Sequence, residues 1–524
     1  MKILAAMHSD TSSRLCGKCQ KIDITVEKFV ISPNQQAVPP QLSGTRSLGT
    51  LPGVLKRSYR CPLCKLIIEA LAEQPNTDMG RVFASLYGSE NLDDVIDRTG
   101  FAWRAECHVS WLRDGRLRVK GEDSNTKDVL RTRRIRVTWS EGGYEEYHLV
   151  LVHPNTTFGP GPQFLGRLVT SVGEEKTKQY EIQEWLDTCT LRHGERLCQA
   201  EHDARFEDLR EESYFGVIDI EEMRLAPLPK GEKYAALSYT WGESQNSGYR
   251  FKTTIDNVQD LVQKDGIKSI HDKLSLTIQD TISLVRDLGM RYLWIDSLCI
   301  LQGDEDIWAL NASQMDTVYG NAHLTVCAAD GDGADAGLVA LHEIHKSRSH
   351  WTQHSQRIGP GMELIVSYPS ETYVARSKWN KRAWTFQERV LSKRCLIFAE
   401  GRVYFQCRST TMTEDIHSGQ AQTGWSVELL HGPLQELNKI ETEPVGVYKY
   451  SVDLYTSRGL SQENDILAAF SGLGRAICSI LGGESIHGLP NSHFDWALLW
   501  EPDEKYENVA VSYTHLTLPT KRIV

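Results

Sequence analysis

The chain has 524 residues, more than one compact core holds, so its length points to two to four domains. It is 40% hydrophobic and 24% charged, with a mean hydropathy of -0.38, as expected of a soluble globular protein. A net charge of -11 argues against a general nucleic-acid binder, and no apolar run is long enough to span a bilayer.

The opening, MKILAAMHSDTSS, carries one Lys and a short apolar stretch, unlike a secretory signal, so the expected location is cytoplasmic. The 12 Cys are scattered, and read as reduced thiols or metal ligands rather than as a disulfide scaffold. Two C-x-x-C pairs come first, Cys16 and Cys19 in LCGKC, then Cys61 and Cys64 in RCPLCKLIIEALAE. Each short knuckle can place two sulfurs on one tetrahedral ion, so the four residues predict a structural Zn2+ site. The alternative is four unrelated thiols, since 41 residues separate Cys19 from Cys61. From about Trp103 to His153, RLRVK, RIRVTWS and YHLVLVH alternate apolar and polar residues and predict a small antiparallel sheet. Residues 1–160 are thus an N-terminal Cys-pair and β-rich region.

A helical linker is expected over 180–216. There Trp185, Leu186 and Cys189 fit one helix face. Cys189, His193 and Cys198 match a metal-ligand trio by type, although core thiols beside a surface His are the simpler reading.

The pattern then changes. KYAALSYTWGE reads as a buried strand, SLTIQDTISLVRDLG as an amphipathic helix with Thr277 and Asp280 as a capping box, and RYLWIDSLCI as a second strand. EDIWALNASQMDTVYGNA reads as one further helix, and HLTVCAAD as a third strand. This alternation predicts an α/β fold with a parallel sheet, whose sites collect at the carboxyl ends of the strands. Those ends carry Ser238, Tyr239, Trp241 and Gly242 from one strand, and Gln302 and Asp304 beyond the next. Asp296 lies inside an otherwise apolar run and needs a partner, for which Arg382 is the expected cation. A helix from Lys381 would carry Trp384, Gln387 and Glu388, and LIFAEGRVYFQC forms a hairpin about Glu400-Gly401. The α/β block is expected over 217–410, with a mainly helical region over 411–510.

Three of these stretches, YAALSYTWG, LWIDSLCILQGDEDIW…MDTVYGNA and RAWTFQERVLSKRCLIF, resemble in order and spacing the fungal heterokaryon-incompatibility (HET) domain family, over roughly Tyr234 to Glu388. The resemblance implies a role in non-self recognition that triggers programmed cell death, an innate-immunity-like system acting through protein partners or self-association. It also implies a fold related to Toll/interleukin-receptor domains, some of which cleave NAD with a Glu on a helix near the strand ends. For such chemistry Tyr239, Trp241 and Trp308 would supply aromatic walls, and Asp296, Asp304 and Glu388 are the candidate carboxylates. Many members of the family carry Glu where this chain has Asn311. Asn cannot act as a base, so signalling or assembly is the favoured expectation and a NAD hydrolase disabled at Asn311 the alternative.

The last stretch, VSYTHLTLPTKRIV at 511–524, resembles a translated sequencing adapter. The native chain is therefore expected to continue past Ala510.

Overall fold

The computed structural model describes residues 15–31, 44–72, 104–113, 131–140, 146–152, 165–169, 175–192, 198, 204–211, 215–242, 251–342, 353–416, 437–460 and 463–498. The adapter-like stretch lies outside them. Two units divide the chain.

The first unit comprises Met1–Ser171, Thr352–Thr372 and Thr413–Val427. Its sheet runs in the order Ser355–Gly359, Met362–Ser367, Tyr147–Leu151, Arg131–Trp139, Glu106–Arg113, Arg46–Thr50, with Val30–Ile31 added beside Arg131–Trp139. Every pairing in it is antiparallel. Two of its strands come from inside the stretch 217–410 that the sequence suggests is one block. Leu364, Ile365 and Val366 are buried there, with Ile365 opposite Val150. The apolar helix Pro62–Ala72 is tied to this sheet by Tyr147 OH, which donates to Ile67 O at 2.8 Å, and by Tyr368 OH, which donates to Ala70 O.

The second unit comprises Val172–Trp351, Tyr373–Met412 and Glu428–Val524. In chain order it holds α1 (Glu175–Arg192), α2 (Ala204–Glu211), β1 (Gly216–Asp219), β2 (Arg224–Pro227), β3 (Tyr234–Tyr239), α3 (Leu276–Asp287) and β4 (Tyr292–Ile295). There follow α4 (Glu305–Ala312), α5 (Met315–Asn321), β5 (Leu324–Ala328), α6 (Ala383–Leu391), β6 (Arg394–Ala399), β7 (Arg402–Cys407), β8 (Thr411–Thr413), α7 (Pro444–Thr456) and α8 (Ala468–Leu481). The sheet order is β8-β7-β6-β5-β3-β4-β1-β2. Its centre is parallel, as the alternating pattern predicts: β6, β5, β3 and β4 pair in one direction, with Tyr239 opposite Ala328 and Leu237 opposite Ile295. Every residue of β3, β4 and β5 is buried, which explains why these strands read as apolar runs rather than alternating ones. Antiparallel hairpins close both flanks. The β6–β7 turn falls at Glu400-Gly401, both at positive φ (51° and 73°).

Two local expectations are corrected. Asp280 does not cap α3. Ser275 is the N-cap residue, and the Asp280 carboxylate instead accepts Leu338 N at 2.7 Å and contacts His342 Nε2 at 2.6 Å. The single helix expected over EDIWALNASQMDTVYGNA is two, α4 and α5. At the break Ser313 Oγ bonds Leu310 O at 2.7 Å, a local side-chain bond that competes with helix continuation.

α6 packs against α7 and α8 around Phe386, Val390, Tyr448, Tyr455, Phe470 and Leu473. Gly482, at φ 75°, ends α8 by returning its N–H to Cys478 O. α8 approaches α5 at Gly472, where an added Cβ would stand 2.2 Å from the Asp316 Cβ. Asp316 cannot easily yield, because Arg205 and Arg475 both hold its carboxylate at 2.9 Å. Gly472→Ala is therefore expected to destabilise this unit by about 1–3 kcal/mol, read as a lower urea midpoint with an unchanged slope.

Candidate functional site

The parallel register brings the site together. Because Leu237 lies opposite Ile295, the next residues along the two strands, Ser238 and Asp296, emerge side by side at the carboxyl ends of β3 and β4. β4 ends there because Asp296 opens a short helical turn, Asp296–Cys299. Glu388 reaches the same edge from α6. Ser238 Oγ donates to Glu388 Oε2 and accepts Trp379 Nε1 at 2.8 Å.

Asp296 and Glu388 are both half-buried. Asp296 accepts its own turn's Ser297 N at 2.6 Å, and Trp241 Nε1 at 3.1 Å. Loss of water pushes its carboxyl up to about 6, against the opposing pull of Arg382 and these donors. Burial pushes Glu388 up to about 7, with the nearby Asp296 charge adding to the rise and Ser238, Arg382 and Tyr319 opposing it. Both carboxyls are thus raised above their ordinary range, chiefly by burial. Arg382 serves both through space. Its Nη1 donates to Tyr239 O at 2.7 Å, so the direct Asp296–Arg382 ion pair expected from the sequence is replaced by a cation held on the strand backbone. Lys252 adds a second positive charge, 4.6 Å above the Trp241 ring.

The other candidates separate around this centre. Tyr239 OH bonds Ser297 Oγ at 2.8 Å, and Gln302 Nε2 donates to Asp296 O at 3.2 Å, so both brace the turn. Gly242 follows Trp241 at φ 84°, a conformation that favours glycine. Asp304 is exposed and accepts Ile307 N at 3.0 Å, which makes it the cap of α4 rather than a member of the site. Asn311 is buried, and its amide donates to Ile307 O at 2.8 Å within α4. Trp384 bonds Asp465 at 3.0 Å and Gln387 reaches Ala468 O at 3.5 Å, both on the side of the C-terminal helices. The Trp308 side chain lies outside the described residues. Cys299 is buried and its thiol is pushed up to about 12 by desolvation, which keeps it protonated. Sequence reasoning missed Trp379, Tyr319 and Lys252. Tyr319 stands within a quoted motif and Trp379 three residues before another, whereas nothing in the pattern around Lys252 distinguishes it. A cavity of about 410 Å3 opens elsewhere, among Arg205, Asp316, Lys393, Arg408 and Arg475, and neither carboxylate lines it.

In the first unit the two C-x-x-C pairs converge. The sulfurs of Cys16, Cys19, Cys61 and Cys64 lie within 4.8 Å of one another. A tetrahedral ion with Zn–S bonds of about 2.3 Å spaces its sulfurs by about 3.8 Å. Cys64 Sγ stands 3.8 Å from Cys16 Sγ and 3.5 Å from Cys19 Sγ, so the set fits Zn2+. No helix among the described residues is long and apolar enough to cross a membrane.

Residues 234–388 match the family model described as Heterokaryon incompatibility protein (HET). Over 198 residues, 31% of this chain, the sequence is 28% identical to Heterokaryon incompatibility protein 6, OR allele, of Neurospora crassa, and the match spans 28% of that protein's length. No solved structure matches the chain.

Two outcomes are expected. The raised carboxyls mean that the folded protein binds protons more tightly than the unfolded chain, from the ordinary values of 3.8 and 4.5 up to about 6 and about 7. Stability from this pair is thus greatest at low pH and is lost as pH rises through that window. Glu388→Gln should gain in melting temperature relative to wild type when pH is raised from about 5 to about 8. A difference independent of pH would contradict this assignment. In the first unit, chelation or Cys64→Ser should lower the melting temperature of the zinc-loaded chain, with added zinc restoring it only in the chelated wild type.

Proposed function

We propose that this chain, which carries a HET domain over residues 234–388, acts in heterokaryon incompatibility through the Asp296–Glu388 pair, and that this site hydrolyses the glycosidic bond of a NAD-type dinucleotide. The observation that carries this reading is the pair itself: two half-buried carboxylates raised to about 6 and about 7, with Arg382 and Lys252 nearby, at the ends of parallel strands. Asn311 does not weigh against it, since that side chain is occupied inside α4, while Glu388 supplies a carboxylate from another helix.

The chemistry needs little else. The bond from the ribose anomeric carbon to the pyridinium nitrogen breaks with its electron pair passing to the ring, which leaves as neutral nicotinamide. Positive charge grows on the ribose, and an ionised carboxylate stabilises it. Asp296, the more acidic of the pair, fits that role. Water then attacks the same carbon and gives its proton to Glu388, the stronger base. Trp241 offers an apolar wall, and Lys252 and Arg382 offer charge for the pyrophosphate. Death of fused cells would follow from exhaustion of the dinucleotide.

Nicotinamide release from NAD by the full chain tests this. Wild type should turn over, Glu388→Gln and Asp296→Asn should each lose at least about 100-fold in kcat, and Asn311→Glu should not gain. The wild-type rate should fall as pH drops below about 7 and again below about 6, as the bases are protonated. A folded wild type that releases no nicotinamide overturns the hydrolase reading. The pair would then be an anchor in a domain that works by partner binding or self-association.

A further inference from the structure

Away from the carboxylates, three thiols meet inside the second unit. Cys189 comes from α1, Cys198 from the segment after it, and Cys407 from the end of β7. All three are buried, and their sulfurs lie within 4.8 Å of one another. The sequence groups Cys189 and Cys198 with His193, which lies outside the described residues. Cys407, more than 200 residues away in sequence, takes the third place.

A second observation concerns charge. Arg394 is only 2% exposed, and its Nε donates to Cys189 Sγ at 3.2 Å while Nη1 donates to His323 O at 3.2 Å. No carboxylate among the described residues pairs with it. A buried guanidinium demands a negative partner, and a neutral thiol is only a weak acceptor. The balance closes if the sulfurs are thiolates around a divalent cation, three negative charges against two, which leaves one for the guanidinium to meet. Ser409 adds the kind of outer contact that thiolates receive. Its N donates to Cys407 Sγ at 3.4 Å, and its Oγ stands 3.5 Å from Cys198 Sγ.

We propose that Cys189, Cys198 and Cys407 form a second metal centre, which binds Zn2+ through three thiolates and ties α1 and the segment after it to the edge of the central sheet. The described residues supply three of the four ligands that a tetrahedral ion takes. Sulfur donors select zinc over magnesium or calcium.

Zinc content of the full chain, purified under reductant and reconstituted with the metal, tests this. Wild type should hold two ions, one at each thiolate group. Cys61→Ser with Cys64→Ser should retain one, and Cys407→Ser should lose one. A buried substitution can unfold the unit, so a second readout uses the Cys61→Ser/Cys64→Ser chain loaded with Co2+. A thiolate-to-cobalt charge-transfer band there supports the site. The proposal is overturned if wild type holds a single ion that this double variant loses while folded by circular dichroism. It is equally overturned if two of the three thiols form a disulfide in the reduced preparation, seen as a mass lower by two hydrogens.

Discussion

Two carboxylates and one guanidinium, brought to the ends of neighbouring parallel strands, set the terms for the second unit. Apolar strands such as β3 and β4 favour burial on both faces, yet Asp296 and Glu388 stand where those strands end and lose much of their water. That loss is tolerated because donors converge on the pair, Ser238 and Trp241 at and beyond the end of β3 and Ser297 after β4, while the Arg382 charge acts through space from before α6. Removing water from two like charges opposes folding, and the arrangement persists because packing over-determines it. The same burial that opposes folding raises both carboxyls above their ordinary range.

The support reaches the connection between α7 and α8. Gly459 forms an isolated parallel bridge with Arg382: its N–H donates to Lys381 O at 2.7 Å, and its carbonyl accepts Ala383 N at 2.9 Å. Arg458 adds bonds to Arg382 O and Asn380 Oδ1, and its guanidinium lies 4.9 Å from the centre of the Phe386 ring. The backbone that presents both Arg382 and Glu388 is therefore held by residues beyond the family match, which ends at Glu388. Arg458 and Gly459, in the connection between α7 and α8, thus support the site without touching its carboxylates.

Much of the second unit was legible in the sequence because its signals are local. Apolar runs mark β3, β4 and β5, the spacing of Ile278, Ile282 and Val285 marks α3, and Glu400-Gly401 marks the β6–β7 turn. What the sequence hid is non-local or turns on a single hydrogen bond. Asp304 has the chemistry of a catalytic acid and is a helix cap, a distinction made only by Ile307 N. The Ser238–Glu388 bond joins residues 150 apart, and Cys407 sits in an apolar strand like any core thiol. The C-x-x-C pairs are legible by type, but only the fold closes the gap between them.

The strands Ser355–Gly359 and Met362–Ser367 complete the first sheet although they lie between β5 and α6 of the second unit. Chains emerge from the ribosome N-terminus first. The first sheet must therefore wait, with the edge of Tyr147–Leu151 unpaired, until some two hundred further residues have been made. By then β1 to β5 are already exposed, but α6 and its Glu388 are not. Each unit is thus left half-finished while the other is being made, and no single cut in the chain yields either of them whole. For the living cell, the carboxylate pair is assembled late, after most of the protein surrounding it has been synthesised.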